Sequence, residues 1–480
     1  MEHQRKLFQQ RGYSEDLLPK TQSQRTWKTF NYFTLWMGSV HNVPNYVMVG
    51  GFFILGLSTF SIMLAIILSA FFIAAVMVLN GAAGSKYGVP FAMILRASYG
   101  VRGALFPGLL RGGIAAIMWF GLQCYAGSLA CLILIGKIWP GFLTLGGDFT
   151  LLGLSLPGLI TFLLFWLVNV GIGFGGGKVL NKFTAILNPC IYIVFGGMAI
   201  WAISLVGLGP IFDYIPSGIQ KAENSGFLFL VVINAVVAVW AAPAVSASDF
   251  TQNAHSFREQ ALGLVVAYIL FAVAGVCIIA GASIHYGADT WNVLDIVQRW
   301  DSLFASFFAV LVILMTTIST NATGNIIPAG YQIAAIAPTK LTYKNGVLIA
   351  SIISLLICPW KLMENQDSIY LFLDIIGGML GPVIGVMMAH YFVVMRGQIN
   401  LDELYTAPGD YKYYDNGFNL TAFSVTLVAV ILSLGGKFIP FMEPLSRVSW
   451  FVGVIVAFAA YALLKKRTTA EKTGEQKTIG

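Results

Sequence analysis

The sequence predicts an all-α integral membrane protein of twelve transmembrane helices, ten of them forming two five-helix repeats and the last two added to these. Three observations carry the prediction. The composition is too apolar for a soluble domain, apolar stretches of membrane-crossing length run along almost the whole chain, and each half of the repeat is interrupted at a matching place.

Of the 480 residues, 57% are hydrophobic and 10% charged, against roughly 25% charged in soluble domains. About 20 apolar residues cross a bilayer as a helix, the element that satisfies its own backbone in lipid. Such stretches are centred near residues 43, 70, 120, 165, 193, 238, 272, 316, 352, 380, 428 and 456. No separate soluble domain fits between them.

Residues 1–28 are polar and lack a small-residue cleavage site beside a short apolar core, so they read as a cytoplasmic tail and not as a cleaved signal peptide. The net charge of +7 follows topology. With the N-terminus inside, Arg5, Lys6, Arg11, Lys20, Arg25, Lys28, Lys86, Arg96, Arg102, Lys178, Lys182, Arg258, Lys340, Lys344, Arg396, Lys412 and the basic C-terminal tail share one side. Lys137, Lys221, Arg299, Lys361, Lys437 and Arg447 fall on the other, and Arg111 lies at the inner end of the third stretch. This is the positive-inside pattern, with both termini cytoplasmic and the lipid bilayer, not nucleic acid, as the partner of a basic chain. Cys124, Cys131, Cys190, Cys277 and Cys358 sit singly in apolar segments and read as packing residues.

The first stretch is interrupted by HNVP at 41–44 and the sixth by WAAP at 240–243. Proline removes a backbone donor and clashes with the preceding turn, and backbone freed at membrane depth persists only against protein or a cavity. Five spans separate the breaks, which divides the chain into a repeat over 29–207, a second over 226–396, an inner loop at 397–417, two helices over 418–466 and a cytoplasmic tail at 467–480. Interrupted helices at matching positions of two halves point to a transporter's midplane site. The inner segments 85–103 and 399–417 are amphipathic and are expected along the interface, with tyrosines at headgroup level. Gly377, Gly381 and Gly385 have the spacing of close helix contact.

In the third stretch, IMWFGLQCYAG sets Trp119 and Gln123 on one helical face, an aromatic plane beside an amide. Trp240 stands directly before the second break, so a flat ligand held by both indoles would gain roughly 1 to 3 kcal/mol per stacked face. The eighth stretch, MTTISTNATGNIIPAGYQ, concentrates Thr316, Thr317, Ser319, Thr320, Asn321, Thr323 and Asn325. Its Ser319 and Thr320 offer oxygens of the kind a hard cation prefers, and Asn325 offers both donor and acceptor. Ionisable residues at membrane depth are costly. Asp374 reads either as a proton acceptor or as a structural acid, Asp249 and His390 lie nearer the inner ends, and His41 is a candidate proton acceptor. GIGFGGGK at 171–178 follows a membrane helix and not a strand, so it reads as a glycine-rich turn and not a dinucleotide site. With no Ser-His-Asp or metal-ligand set, no enzyme and no cofactor are expected.

WMGSVHNVPNY, KYGVPF, IMWFGLQ, VWAAPAVSASDF, STNATGNIIPAGYQ, CPWKLMEN and GGMLGPVIGVMMAHYF, in that order from about Thr26 to Phe451, resemble the nucleobase:cation symporter-1 family, in particular its bacterial allantoin permeases. The resemblance implies the inverted-repeat fold shared with neurotransmitter:sodium symporters, in a bacterial inner membrane. It implies a substrate clamp of Trp119 and Trp240, with Gln123, Asn42 and Asn325 recognising amide edges. It also implies a cation site of backbone carbonyls from Gly38, His41 and Thr316 with the hydroxyls of Ser319 and Thr320. His41 departs from an apolar residue in a sodium-coupled member, which leaves sodium and proton both open, with His41 and Asp374 as the proton candidates. The expected activity is secondary active import of allantoin, with no obligate protein partner. Alternatives are a uracil, cytosine or hydantoin permease of the same fold, or an uncoupled facilitator.

Overall fold

The computed structural model describes residues 2–478 apart from 291, 338–339, 364–365 and 406–415. Among these, each of the expected apolar stretches falls on a helix or a broken helix. Span 1 is Thr29–Val40 with Val43–Phe52, span 2 Thr59–Asn80, span 3 Leu105–Ile138, span 4 Leu156–Gly176 and span 5 Ile186–Val206. Span 6 is Ser225–Val239 continued by Ala241–Val245 and Ala247–Thr251, span 7 is Phe257–Tyr286 and span 8 Leu303–Ile336. Tyr343–Leu356, Ser368–Val394, Leu420–Lys437 and Ser449–Lys465 complete the set as spans 9 to 12.

Spans 1, 2, 6 and 7 pack on one another, as do spans 3, 4, 8 and 9, and spans 10, 11 and 12 form a third group in which 10 and 12 lie closest. The second group has its own apolar core around Phe120, Phe162, Ile326, Val347 and Trp360. Small residues permit the close crossings. A Cβ at Gly263 would stand 2.6 Å from the Phe33 amide, bringing span 7 against span 1. The Gly377, Gly381 and Gly385 series does the same between span 10 and its neighbours, where Cβ atoms would lie 3.0 Å from Ala238 Cβ, 2.8 Å from Trp450 O and 2.5 Å from Val454 O.

The break in span 1 is set by asparagines more than by its proline. Asn42 is extended (φ −119°, ψ 160°) and its Oδ1 caps the second half by accepting from Asn45 N at 3.1 Å. Its Nδ2 donates to Ser39 O at 2.7 Å, and Asn45 Nδ2 donates to Val40 O at 2.8 Å, so two carbonyls at the end of the first half are satisfied. Pro44 stands in the first turn of the second half, where a missing N–H costs little. In span 6 the helix is interrupted at Trp240 (φ −94°, ψ 2°) and again at Ser246 (φ −93°, ψ 29°). Spans 4 and 5 run into one another through a kink at Gly176 (φ 59°), within the glycine-rich segment expected to turn.

Two tyrosines expected at headgroup level are instead inside the protein: Tyr99 and Tyr405 are both fully buried. The N-terminal segment covers this face. Phe8 stacks on Tyr405 with ring centroids 4.2 Å apart, Arg11 Nη1 donates to Tyr405 O at 2.8 Å, and Arg96 Nη1 donates to Tyr13 Oη at 2.6 Å. The segment Phe91–Tyr99 is therefore a buried amphipathic helix. Most of the second amphipathic segment, 406–415, lies outside the described residues.

Candidate functional site

The two breaks meet at a cavity of about 50 Å³, walled by residues of spans 1, 3, 6 and 8. Asn42, Trp119, Gln123, Trp240 and Asn325 all line it, as do Ser39 and Thr320. The cavity also takes in Trp36, Asn45, Phe250 and Thr323, which were not singled out from the sequence as ligand contacts.

Each indole is braced by another ring. Trp119 meets Phe372 edge-on with centroids 4.9 Å apart, and Trp240 meets Trp36 at 4.8 Å and Tyr268 at 5.2 Å, also edge-on. Such contacts fix the planes a ligand would stack on. The indole N–H groups of Trp36, Trp119 and Trp240 and the Gln123 Oε1 are buried without a protein hydrogen bond. Buried polar atoms are nearly always paired, so three donors and an acceptor around one cavity mark where a polar ligand would be satisfied.

The asparagines differ. Asn42 spends its amide on capping the broken helix, whereas Asn325 uses only Nδ2, which donates to Asn321 Oδ1 at 2.9 Å.

The residues expected at a cation site are partly gathered beside this cavity. Thr320 Oγ1 lies 2.9 Å from Thr316 O, 3.1 Å from Ser39 O and 3.3 Å from Gly38 O. Ser319 Oγ is buried without a partner, and a Cβ at Gly38 would stand 3.0 Å from it. Carbonyl and hydroxyl oxygens are the donor types that a hard cation takes.

The His41 side chain lies elsewhere, with Nδ1 3.0 Å from Tyr46 Oη and its ring stacked 4.6 Å from Phe195. It does not line the cavity. Asp374 is likewise remote, since its Oδ2 pairs with Lys437 Nζ at 2.6 Å and its carbonyl accepts from Ser449 Oγ at 3.1 Å. Asp249 accepts from the Phe91 amide at 2.8 Å, and His390 Nδ1 is 2.9 Å from Tyr461 Oη. Arg111 is fully buried at the start of span 3, its Nε donating to Ser246 Oγ at 3.1 Å and its Nη2 to Gly324 O at 2.8 Å.

A second cavity, of about 600 Å³, opens on the side that carries the N-terminal segment. Leu17, Lys20 and Trp27 of that segment line it, together with Asp249, Asn253 and Gln332, and it shares Phe250 and Thr323 with the central cavity.

Broken helices meeting at an aromatic and amide-lined cavity, in a twelve-helix inverted-repeat fold, define a secondary membrane transporter. The chain belongs to the nucleobase:cation symporter-1 family: the family model described as permease for cytosine/purines, uracil, thiamine, allantoin matches residues 19–453. It is 98% identical, over the whole of both chains, to a protein of Escherichia coli (strain K12) named "Putative allantoin permease". It is 39% identical to the allantoin permease of Bacillus subtilis (strain 168), over 94% of this chain and 93% of that one. Among solved structures, Mhp1, a nucleobase-cation-symport-1 family transporter in a closed conformation with bromovinylhydantoin bound, matches with a TM-score of 0.75 at 24% identity, over 96% of each chain. At that identity the likeness is one of fold.

Proposed function

We propose that this protein imports allantoin across a bacterial inner membrane by alternating access, with both termini cytoplasmic and with an inward sodium or proton gradient as the driving force. The observation that carries the reading is the cavity itself, where Trp119, Trp240, Gln123, Asn42 and Asn325 converge at the two helix breaks. Allantoin is a neutral, near-planar hydantoin ring with a ureido tail, rich in alternating N–H and C=O groups. Indole donors suit its carbonyls and the Gln123 and Asn325 oxygens suit its N–H groups. The names of the relatives at 98% and 39% identity support the same substrate.

For coupling, we assign the oxygen cluster of Gly38, Thr316, Ser319 and Thr320 as the cation site, to which the family resemblance adds the His41 carbonyl. The His41 side chain, whose Nδ1 meets Tyr46, and the Asp374 carboxylate, which pairs with Lys437, both lie away from the cavity, and this favours the oxygen cluster over either as the coupling group. The positive-inside distribution of Lys and Arg supports the orientation.

The test is uptake of labelled allantoin into proteoliposomes under imposed sodium or pH gradients. Accumulation above the external concentration that collapses with an ionophore is expected, and Trp119→Ala and Asn325→Ala should abolish it in folded protein. Binding of uracil or cytosine with none of allantoin would overturn the substrate, and equilibration without accumulation would overturn the coupling.

A further inference from the structure

Behind Asn325 two more buried amides continue the same line. Asn325 Nδ2 donates to Asn321 Oδ1 at 2.9 Å, and Asn321 Nδ2 donates to Asn169 Oδ1 at 3.1 Å and to Phe120 O at 3.3 Å. Asn169 Nδ2 ends the line by donating to Phe165 O at 2.8 Å. The row runs from the central cavity through span 8 to span 4, and Asn169 and Asn321 are 2% and 0% exposed.

An asparagine amide can be turned either way, so its direction needs a fixed reference. Backbone carbonyls are such references because they only accept. Phe165 O requires the NH₂ of Asn169, which leaves Asn169 Oδ1 to accept. Asn321 must then bring its NH₂ to that oxygen and to Phe120 O, which leaves its own Oδ1 to accept in turn. Asn325 is thereby obliged to give its NH₂ to the protein. Its Oδ1 has no protein hydrogen bond among the described residues, and Asn325 lines the cavity.

We propose that Asn169 and Asn321 are positioning residues that hold Asn325 with its carbonyl oxygen toward the substrate, so that the site selects ligands presenting an N–H at that edge. The proposal rests on the central cavity being the substrate site. Reversing any one amide would set oxygen against oxygen or NH₂ against NH₂ at its neighbour, so the row turns as a unit or not at all. It converts a residue able to recognise either kind of group into one that recognises donors.

The experiment measures binding to the purified full-length protein for three ligands. Hydantoin carries both ring N–H groups, succinimide replaces N1–H by CH₂, and 3-methylhydantoin lacks N3–H. With the wild type, one of the two analogues should bind about 10- to 100-fold more weakly than hydantoin, the loss expected when a buried acceptor goes unpaired. In Asn321→Ala, hydantoin should lose affinity while that analogue does not, so that their ratio falls to within about threefold. Asn169→Leu keeps Phe120 O as a reference and should move the ratio in the same direction by less, which also provides a second variant should Asn321→Ala fail to fold. If both variants weaken all ligands by one common factor, the residues only support packing and this proposal is overturned while the substrate site stands. If the wild type binds neither hydantoin nor allantoin, the substrate-site reading falls and takes the proposal with it.

Discussion

Thr320 and Asn42 meet at one atom: the Ser39 carbonyl accepts from Thr320 Oγ1 at 3.1 Å and from Asn42 Nδ2 at 2.7 Å. One of these residues belongs to the proposed cation cluster and the other to the wall of the central cavity. A cation that draws on the first changes the hydrogen bonding of the second.

This sharing predicts that Thr320→Val uncouples cation from substrate. Where sodium is the driving ion, it should raise allantoin affinity in the wild type by roughly 5- to 150-fold, as in ordinary linkage, and leave it unchanged in the variant. Thr320→Ser keeps the hydroxyl and should keep the effect. Binding titrations in sodium and in choline buffers read it directly, and an equal sodium response in wild type and Thr320→Val would refute the shared-carbonyl argument.

Trp36→Phe keeps a ring against Trp240 and Phe250, whose centroids lie 4.8 and 5.0 Å away, but removes the unpartnered indole N–H. The expected result is a KM raised by about 3- to 10-fold, the value of one neutral hydrogen bond, at nearly constant kcat. A fall in kcat alone would mean that Trp36 acts in movement and not in binding.

Arg111 is bonded to Ser246 and Gly324, on two other spans, and replacing it with methionine removes both bonds in a buried setting, although the Ser246 hydroxyl keeps its bond to Ala242 O. Thermal unfolding in detergent should register a loss of about 1 to 3 kcal/mol, with Arg111→Lys intermediate because an ammonium lacks the planar fork. Unchanged stability in Arg111→Met would show that these bonds contribute nothing net.

Asp374→Asn should leave the pH dependence of uptake as it is in the wild type, because its carboxylate answers to Lys437 and not to the cavity. The pair is partly exposed, so its loss should cost at most about 1 kcal/mol of stability. A shifted pH profile in Asp374→Asn would reinstate it as a coupling group.

The spans and their breaks were legible because hydropathy and proline are local properties that lipid makes obligatory. Trp119, Gln123, Trp240 and Asn325 could be singled out as candidates because a break or an amide in an apolar helix has few explanations, whereas Gly38 came only with the family resemblance. Direction was not legible. Sequence names the residue at 41 or 374 but not the Tyr46 hydroxyl or the Lys437 ammonium that engages it. Trp36 was lost inside an apolar run, because what distinguishes it is its place in the cavity wall and its edge contact with a residue some two hundred positions away. Tyr99 and Tyr405 were misjudged for the same reason, since what covers their face is the distant N-terminal segment.

The central cavity and the large cavity on the N-terminal side have Phe250 and Thr323 in common in their walls. At the opposite end, the small cavity lined by Phe53, Tyr214 and Asp289 has no residue in common with the centre. A path from the centre toward the N-terminal side therefore runs past Phe250 and Thr323, while no shared wall residue links the centre to the Phe53 end. The centre thus has a near side and a far side, and the near side is the one that carries the N-terminal segment.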